Sequence, residues 1–172
     1  MKINGIVMAM LLVVIMLTTG LFSTACSAQE SREQASSHLR EGLRLYREGL
    51  YDLAPKGKIE EAALKYEQAL RELQRASALD ETSVETRKTL AKLYYLLERY
   101  EDAAEEYRKV TELVPASVDN YAALATILAK INRYDAALVE LEKARSRTDD
   151  PKVVDALDGL IGRLKEAAAG KR

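Results

Sequence analysis

The chain has 172 residues, 48% hydrophobic and 31% charged, with a formal net charge of -1. That length suits one modest folded domain, and the near balance of charge speaks against a nucleic-acid partner, which ordinarily demands a basic excess. Trp is absent and Phe occurs once against nine Tyr, so a core must be built from Ala, Leu and Tyr.

In chain order, Lys2 precedes an uninterrupted apolar run over residues 6–17, and residues 18–25 turn smaller and more polar. This is the three-part layout of a secretory signal, so residues 1–25 are set apart from the fold. The sole cysteine, Cys26, follows Ser23, Thr24 and Ala25. The stretch resembles a bacterial lipoprotein signal, with Ser23 where such signals usually carry Leu. The resemblance implies lipid on Cys26, which becomes the new N-terminus and anchors the protein to a membrane. Ser27 in place of Asp then implies the periplasmic face of the outer membrane. Each buried methylene of an acyl chain contributes about 0.8 kcal/mol to such an anchor. A cut after Ala25 or Ala28 without lipid would instead give a soluble periplasmic protein. The apolar run is shorter than the roughly 20 residues of a spanning helix.

Residues 26–36 are polar and read as a tether, although Ser31 and Gln34 have the spacing of a capping box. The first helix carries Leu39, Leu43, Tyr46 and Leu50 as one apolar stripe. Gly42 and Gly49 lower its helix propensity, and Gly42 suits a close helix contact. Residues 54–57, Ala-Pro-Lys-Gly, break it. The start of the next helix can then be read twice, at residues 57–66 and again from Tyr66, seven residues apart. Seven residues are two helical turns, which keeps the same face buried. The first hairpin, 37–80, is therefore expected to be about two turns longer than those that follow. A degenerate half-repeat at 42–54 is the alternative. Thr82 with Glu85 predicts a capped helix over 83–97, and its partner over 101–113 stops at Val114 and Pro115. Ser117 is placed to cap a helix over 118–131, followed by one over 135–147. Asp150, with Pro151 at the first helical position, starts a final covering helix over 152–167. It carries Val154, Leu157, Leu160, Ile161 and Leu164. Residues 168–172 are tail.

One interval organises this body. Tyr66, Tyr100 and Tyr134 stand 34 residues apart, as do Ala69, Ala103 and Ala137, and Leu73, Tyr107 and Leu141. Leu90 and Ala91 return as Leu124 and Ala125. The chain resembles a tetratricopeptide repeat protein, whose 34-residue unit reads W-x2-L-G-x2-Y, then A-x3-F, then P. In the unit 84–117, Leu90, Ala91, Tyr94, Ala103, Tyr107 and Pro115 carry the pattern, with Arg87 where Trp is preferred. In the unit 118–151, Tyr121, Leu124, Ala125, Leu128, Ala137 and Leu141 do, with Asp149 in place of the closing Pro. The resemblance implies an all-α solenoid of about three antiparallel helix hairpins with a C-terminal capping helix. Such stacks present a binding surface, so a protein or peptide partner is expected rather than a reaction.

The chemistry-bearing residues agree. His38 is the only histidine, too little for a metal site, and reads as solvated or capping. No His accompanies a Ser or Cys within the repeats as a nucleophilic pair would require. Glu60-Glu61, Glu105-Glu106 and Asp149-Asp150 sit among Lys and Arg as solvated faces do. The glycines have no phosphate-loop spacing. No catalytic residue, metal or cofactor is expected, and a carboxylate-based enzyme is the lesser alternative. The resemblance places Lys88, Lys92 and Tyr95 on the side of their helix that faces the family's concave groove. Thr126 and Lys130 take comparable places in the next unit. Some family members clamp a terminal carboxylate there with Lys and Asn. Ala123 and Thr126 occupy the Asn positions here, so that activity is not carried over. The alternative is that these lysines are simply solvated. The expected role is an envelope scaffold or assembly factor that holds a partner in the groove. A self-associating structural protein is the rival, and the oligomeric state is open.

Overall fold

The computed structural model describes residues 29–170; the secretory signal expected over residues 1–25 and the lipid site expected at Cys26 lie outside the described residues. Seven α-helices follow one another: α1 over residues 29–47, α2 Ile59–Leu79, α3 Val84–Leu96, α4 Tyr100–Leu113, α5 Val118–Lys130, α6 Tyr134–Arg145 and α7 Pro151–Ala169. No strand occurs among the described residues. From α2 onward each helix packs on the next in sequence, and α1 meets α2 through His38 with Glu72 and Gly42 against Leu73, giving three antiparallel pairs and a last helix stacked side by side. This is the all-α solenoid that the periodicity predicts.

The 34-residue interval is a packing interval. Ala69, Ala103 and Ala137 are each 0% exposed, and each lets its helix approach the preceding one closely. Leu73, Leu93 and Leu124 fill the spaces between, fully buried. Tyr66, Tyr94, Tyr107 and Tyr121 are buried beside them, whereas Tyr100 and Tyr134 are half-buried at the first positions of α4 and α6. In α1 the inward residues are Ala35 and Leu45, outside the apolar stripe read from the sequence. Leu39, Tyr46 and Leu50 flank that core from α1.

Gly57, Glu98 and Asn132 are left-handed, with φ of 74°, 58° and 60°. In each turn the following amide donates five residues back: Lys58 to Leu53 (3.2 Å), Arg99 to Tyr94 (2.8 Å) and Arg133 to Leu128 (2.9 Å). The turns at Glu98 and Asn132 are 34 residues apart, but those at Gly57 and Glu98 are 41 apart. The surplus lies in α2, which has 21 residues against 14 in α4. Among the described residues the first hairpin therefore has seven residues more in its second helix than the hairpin that follows. The chain reaches its turn through a π-helical segment, Glu48–Leu53, and a 3-10 turn, Ala54–Lys56. Against α2 this hairpin is packed unusually tightly. A Cβ on Gly42 would lie 2.6 Å from Leu73 Cγ, and one on Gly49 would lie 2.6 Å from Tyr66 Cε1.

Several local expectations are corrected. Residues 29–36, read as part of a tether, are already helical. Ser31 lies inside that helix and is not its cap. The cap of α3 is Ser83, one residue later than Thr82: its Oγ accepts from the Thr86 amide at 3.3 Å. The Thr82 hydroxyl instead donates to Asp80 Oδ1 at 2.7 Å. Ser117 precedes α5 without a side-chain capping bond. Asp150 does cap α7, accepting from the Lys152 amide at 2.9 Å, with Pro151 next in line. That helix continues through Ala169, into the residues read as tail.

Candidate binding groove

The first helices of the pairs, α1, α3 and α5, together with α7, line one side of the stack, and three connected depressions run along it. Between α3 and α5 lies a cavity of about 310 Å³ lined by Ala91, Lys92, Tyr95, Leu96, Ala123, Thr126 and Ile127, with Tyr46 and Tyr107. Its floor is apolar because Ala91 and Ala123 are small and leave the Tyr107 ring accessible from the groove. Burial holds the Tyr46 and Tyr107 phenols above their ordinary ionisation range, so both stay neutral hydrogen-bonding groups.

Three of the five groove residues read from the sequence, Lys92, Tyr95 and Thr126, meet in this cavity. Tyr95 is 38% exposed, and its ring meets Tyr100 edge-on at 5.3 Å between centroids. Lys130 lies over the other ring of that pair, 5.8 Å from the Tyr100 centroid, and does not line the cavity. Tyr100 thus links Tyr95 on α3 to Lys130 on α5. The Thr126 hydroxyl donates to the Ala122 carbonyl at 2.8 Å, which leaves its oxygen only as an acceptor. Lys88 faces a second depression, between α1 and α3, of about 580 Å³, which it shares with Arg47, Tyr51, Glu85 and Lys92. A third, of about 210 Å³, lies between α5 and α7, lined by Ala125, Ala129, Leu160, Arg163 and Leu164.

The sequence missed Tyr46, Arg47, Tyr51 and Arg163. The signal for the α1 residues was available: Arg47 stands ten residues before Gly57, as Lys88 stands ten before Glu98. Counting from the turn residue finds it, and counting by 34 does not. Two other assignments change. His38 is half-buried and partnered: its Nδ1 lies 2.7 Å from Glu72 Oε2, joining α1 to α2. Arg87, where the repeat prefers Trp, is 9% exposed. It donates from Nε to the Glu81 carbonyl (2.8 Å) and from Nη1 to Glu106 Oε2 (3.0 Å). Among the described residues no three His, Cys, Asp or Glu side chains gather as a metal site would need, and no helix is long and apolar enough to cross a membrane.

The profile of the tetratricopeptide repeat matches residues 61–115. Many solved tetratricopeptide domains superpose on the stack. The second such domain of human RPAP3, in complex with an HSP70 peptide, aligns at 18% identity over 78% of this chain and 98% of its own, with a TM-score of 0.59. The TPR2B domain of yeast Sti1, in a complex with an Hsp70 peptide, aligns at 17% identity over 81% and 99%, with a TM-score of 0.57. The type III secretion translocator chaperone SycD of Yersinia enterocolitica aligns at 16% identity over 72% and 83%, with a TM-score of 0.55. Residues 61–115 carry the tetratricopeptide repeat, and the described residues have the fold of a tetratricopeptide stack. No curated protein sequence matches the chain. At these identities the superpositions establish the fold of the tetratricopeptide stack, and what its groove holds must be argued from its own side chains.

Proposed function

We propose that the protein is a non-enzymatic interaction module that holds a segment of a partner protein in the groove along α1, α3 and α5. The observation that carries this reading is the α3–α5 cavity. It combines an apolar floor, an exposed aromatic edge at Tyr95 and the Lys92 amine, as a recognition pocket does. Superposed domains of RPAP3 and Sti1 are complexed with peptides, which agrees with this use of the fold. The resemblance of residues 1–26 to a lipoprotein signal supports export, an anchor on Cys26 and a scaffold or assembly role in the cell envelope. Self-association is less well supported. Beyond the groove, α1 and the π-helical segment carry Arg40, Arg44, Glu48 and Asp52, and α7 exposes Asp155, Asp158, Lys165 and Glu166. Polar terminal helices of this kind close a solenoid against end-to-end growth.

The test is site-specific photo-cross-linking in the native cell, with the reactive residue at Tyr95 or Thr126, compared with Glu105 or Glu142 on the opposite helices. The groove positions should trap one shared partner that the other two do not. Equal trapping from both sets, or none from the groove, would refute the groove assignment. For the anchor, a Cys26→Ser variant should leave the membrane fraction; persistence there would remove the lipid.

A further inference from the structure

The α1–α3 cleft differs in chemistry from the cavity beside it. Arg47, Lys88 and Lys92 all line it, and none of their side chains makes an ion pair or hydrogen bond to another described residue. Elsewhere Arg44, Lys58, Arg75, Arg99, Arg108 and Lys143 each pair with an acid three residues away on the chain. The cleft holds one carboxylate, Glu85, so its wall carries two more positive charges than negative. Tyr51 stands at its edge, 68% exposed, at the centre of the π-helical segment. Unpaired cations converging on a concavity concentrate field lines there, and a bound anion would supply the partners that the chain itself does not.

Lys92 lines both this cleft and the apolar α3–α5 cavity. The two subsites are therefore adjacent, within reach of one bound segment. On the proposed reading of the groove as a partner site, we infer that the partner segment is acidic: an internal stretch of Asp and Glu carboxylates facing Arg47, Lys88 and Lys92, beside one large apolar side chain seated in the α3–α5 cavity. The apolar cavity favours a peptide over a polyanionic glycan or nucleic acid. So do the Glu85 carboxylate in the cleft and the chain's net charge of -1. Because Lys88 and Lys92 lie along the side of α3 and Arg47 lines the same cleft from α1, the recognised charge is that of side chains and needs no chain terminus.

The test is selection of random peptides, displayed with both ends blocked, on the full chain and on an Arg47→Glu, Lys88→Glu variant whose helical circular dichroism is intact. The wild-type pool should enrich Asp and Glu next to a Leu, Phe or Trp. The variant pool should lose the acidic enrichment and keep the apolar one, and wild-type-selected peptides should bind the variant at least about tenfold more weakly. A wild-type pool without acidic enrichment, or identical pools from the two proteins, would overturn the inference. Capture of a heparin oligosaccharide in preference to every peptide would also overturn it. Failure here while photo-cross-links from Tyr95 persist would leave the groove in place and remove only its acidic partner. Loss of those cross-links would remove both.

Discussion

The first hairpin and the two that follow solve the same packing problem differently. In the second and third, a 34-residue unit turns at Glu98 or Asn132, and its helices meet through alanine. The first turns at Gly57, carries two surplus turns in α2, and brings α1 so close that glycine replaces alanine at the contact. The first repeat thus tolerates two added turns, because seven residues return the inward stripe to the same face. The added part is tied down differently from the rest: Ile59 and Leu64 within it are 63% and 58% exposed.

Substitutions can probe that contrast, beginning with the strongest. Leu73→Ala, at a fully buried site shared by all hairpins, should cost about 3 kcal/mol in urea denaturation. Leu64→Ala, in the surplus turns, should change stability by less than about 0.5 kcal/mol; equal losses would erase the distinction. In the regular part, Glu106→Ala strands the nearly buried Arg87 guanidinium and should cost about 3 kcal/mol. An added Arg87→Met should recover much of that, and additive losses would show that the pair is not coupled. Gly42→Ala should destabilise by about 1–2 kcal/mol through its clash with Leu73. Gly162→Ala on α7, where nothing lies within 4 Å, should stabilise by about 1 kcal/mol from helix propensity. Glu98→Gly should gain about 1 kcal/mol by relieving a left-handed side chain, with the melting temperature as readout.

The smallest effect is in alkali. Burial raises the phenols of Tyr46, Tyr66 and Tyr107 above the ordinary 10.0. Groups whose folded pKa exceeds the unfolded one contribute stability that is intact below pH 10 and lost as pH rises through the folded values. Two of the three lie in the first hairpin. A Tyr66→Phe variant should therefore flatten the alkaline fall in unfolding free energy, and an unchanged slope would put the loss elsewhere.

The helical stack was legible because the periodic residues are the packed ones: Ala69, Ala103 and Ala137 read as equivalent and are equally buried. The seven-residue surplus was legible as two competing readings of one helix start. What escaped depends on contacts between distant segments. His38 meets Glu72 exactly one repeat length away, a pairing set by the tilt of α1 on α2 and not by either residue's neighbours. Arg87 in place of Trp looked like tolerance at a loose position, yet the loss of the ring is offset by Glu106 on the next helix. The cap of α3 moved from Thr82 to Ser83 because Asp80 captures the threonine hydroxyl first. At the groove, Lys92, Tyr95 and Thr126 line one cavity. Arg47 and Tyr51 were hidden because the seven surplus residues of α2 put the first turn 41 residues before the second, out of the 34-residue count.

The seven surplus residues of α2 add about 10 Å of helix at 1.5 Å per residue. They make the first pair longer than the two that follow it, so the two ends of the stack differ. A guest strand meeting an uneven vessel has a preferred heading, so reversing its sequence while keeping its composition should not preserve its seat.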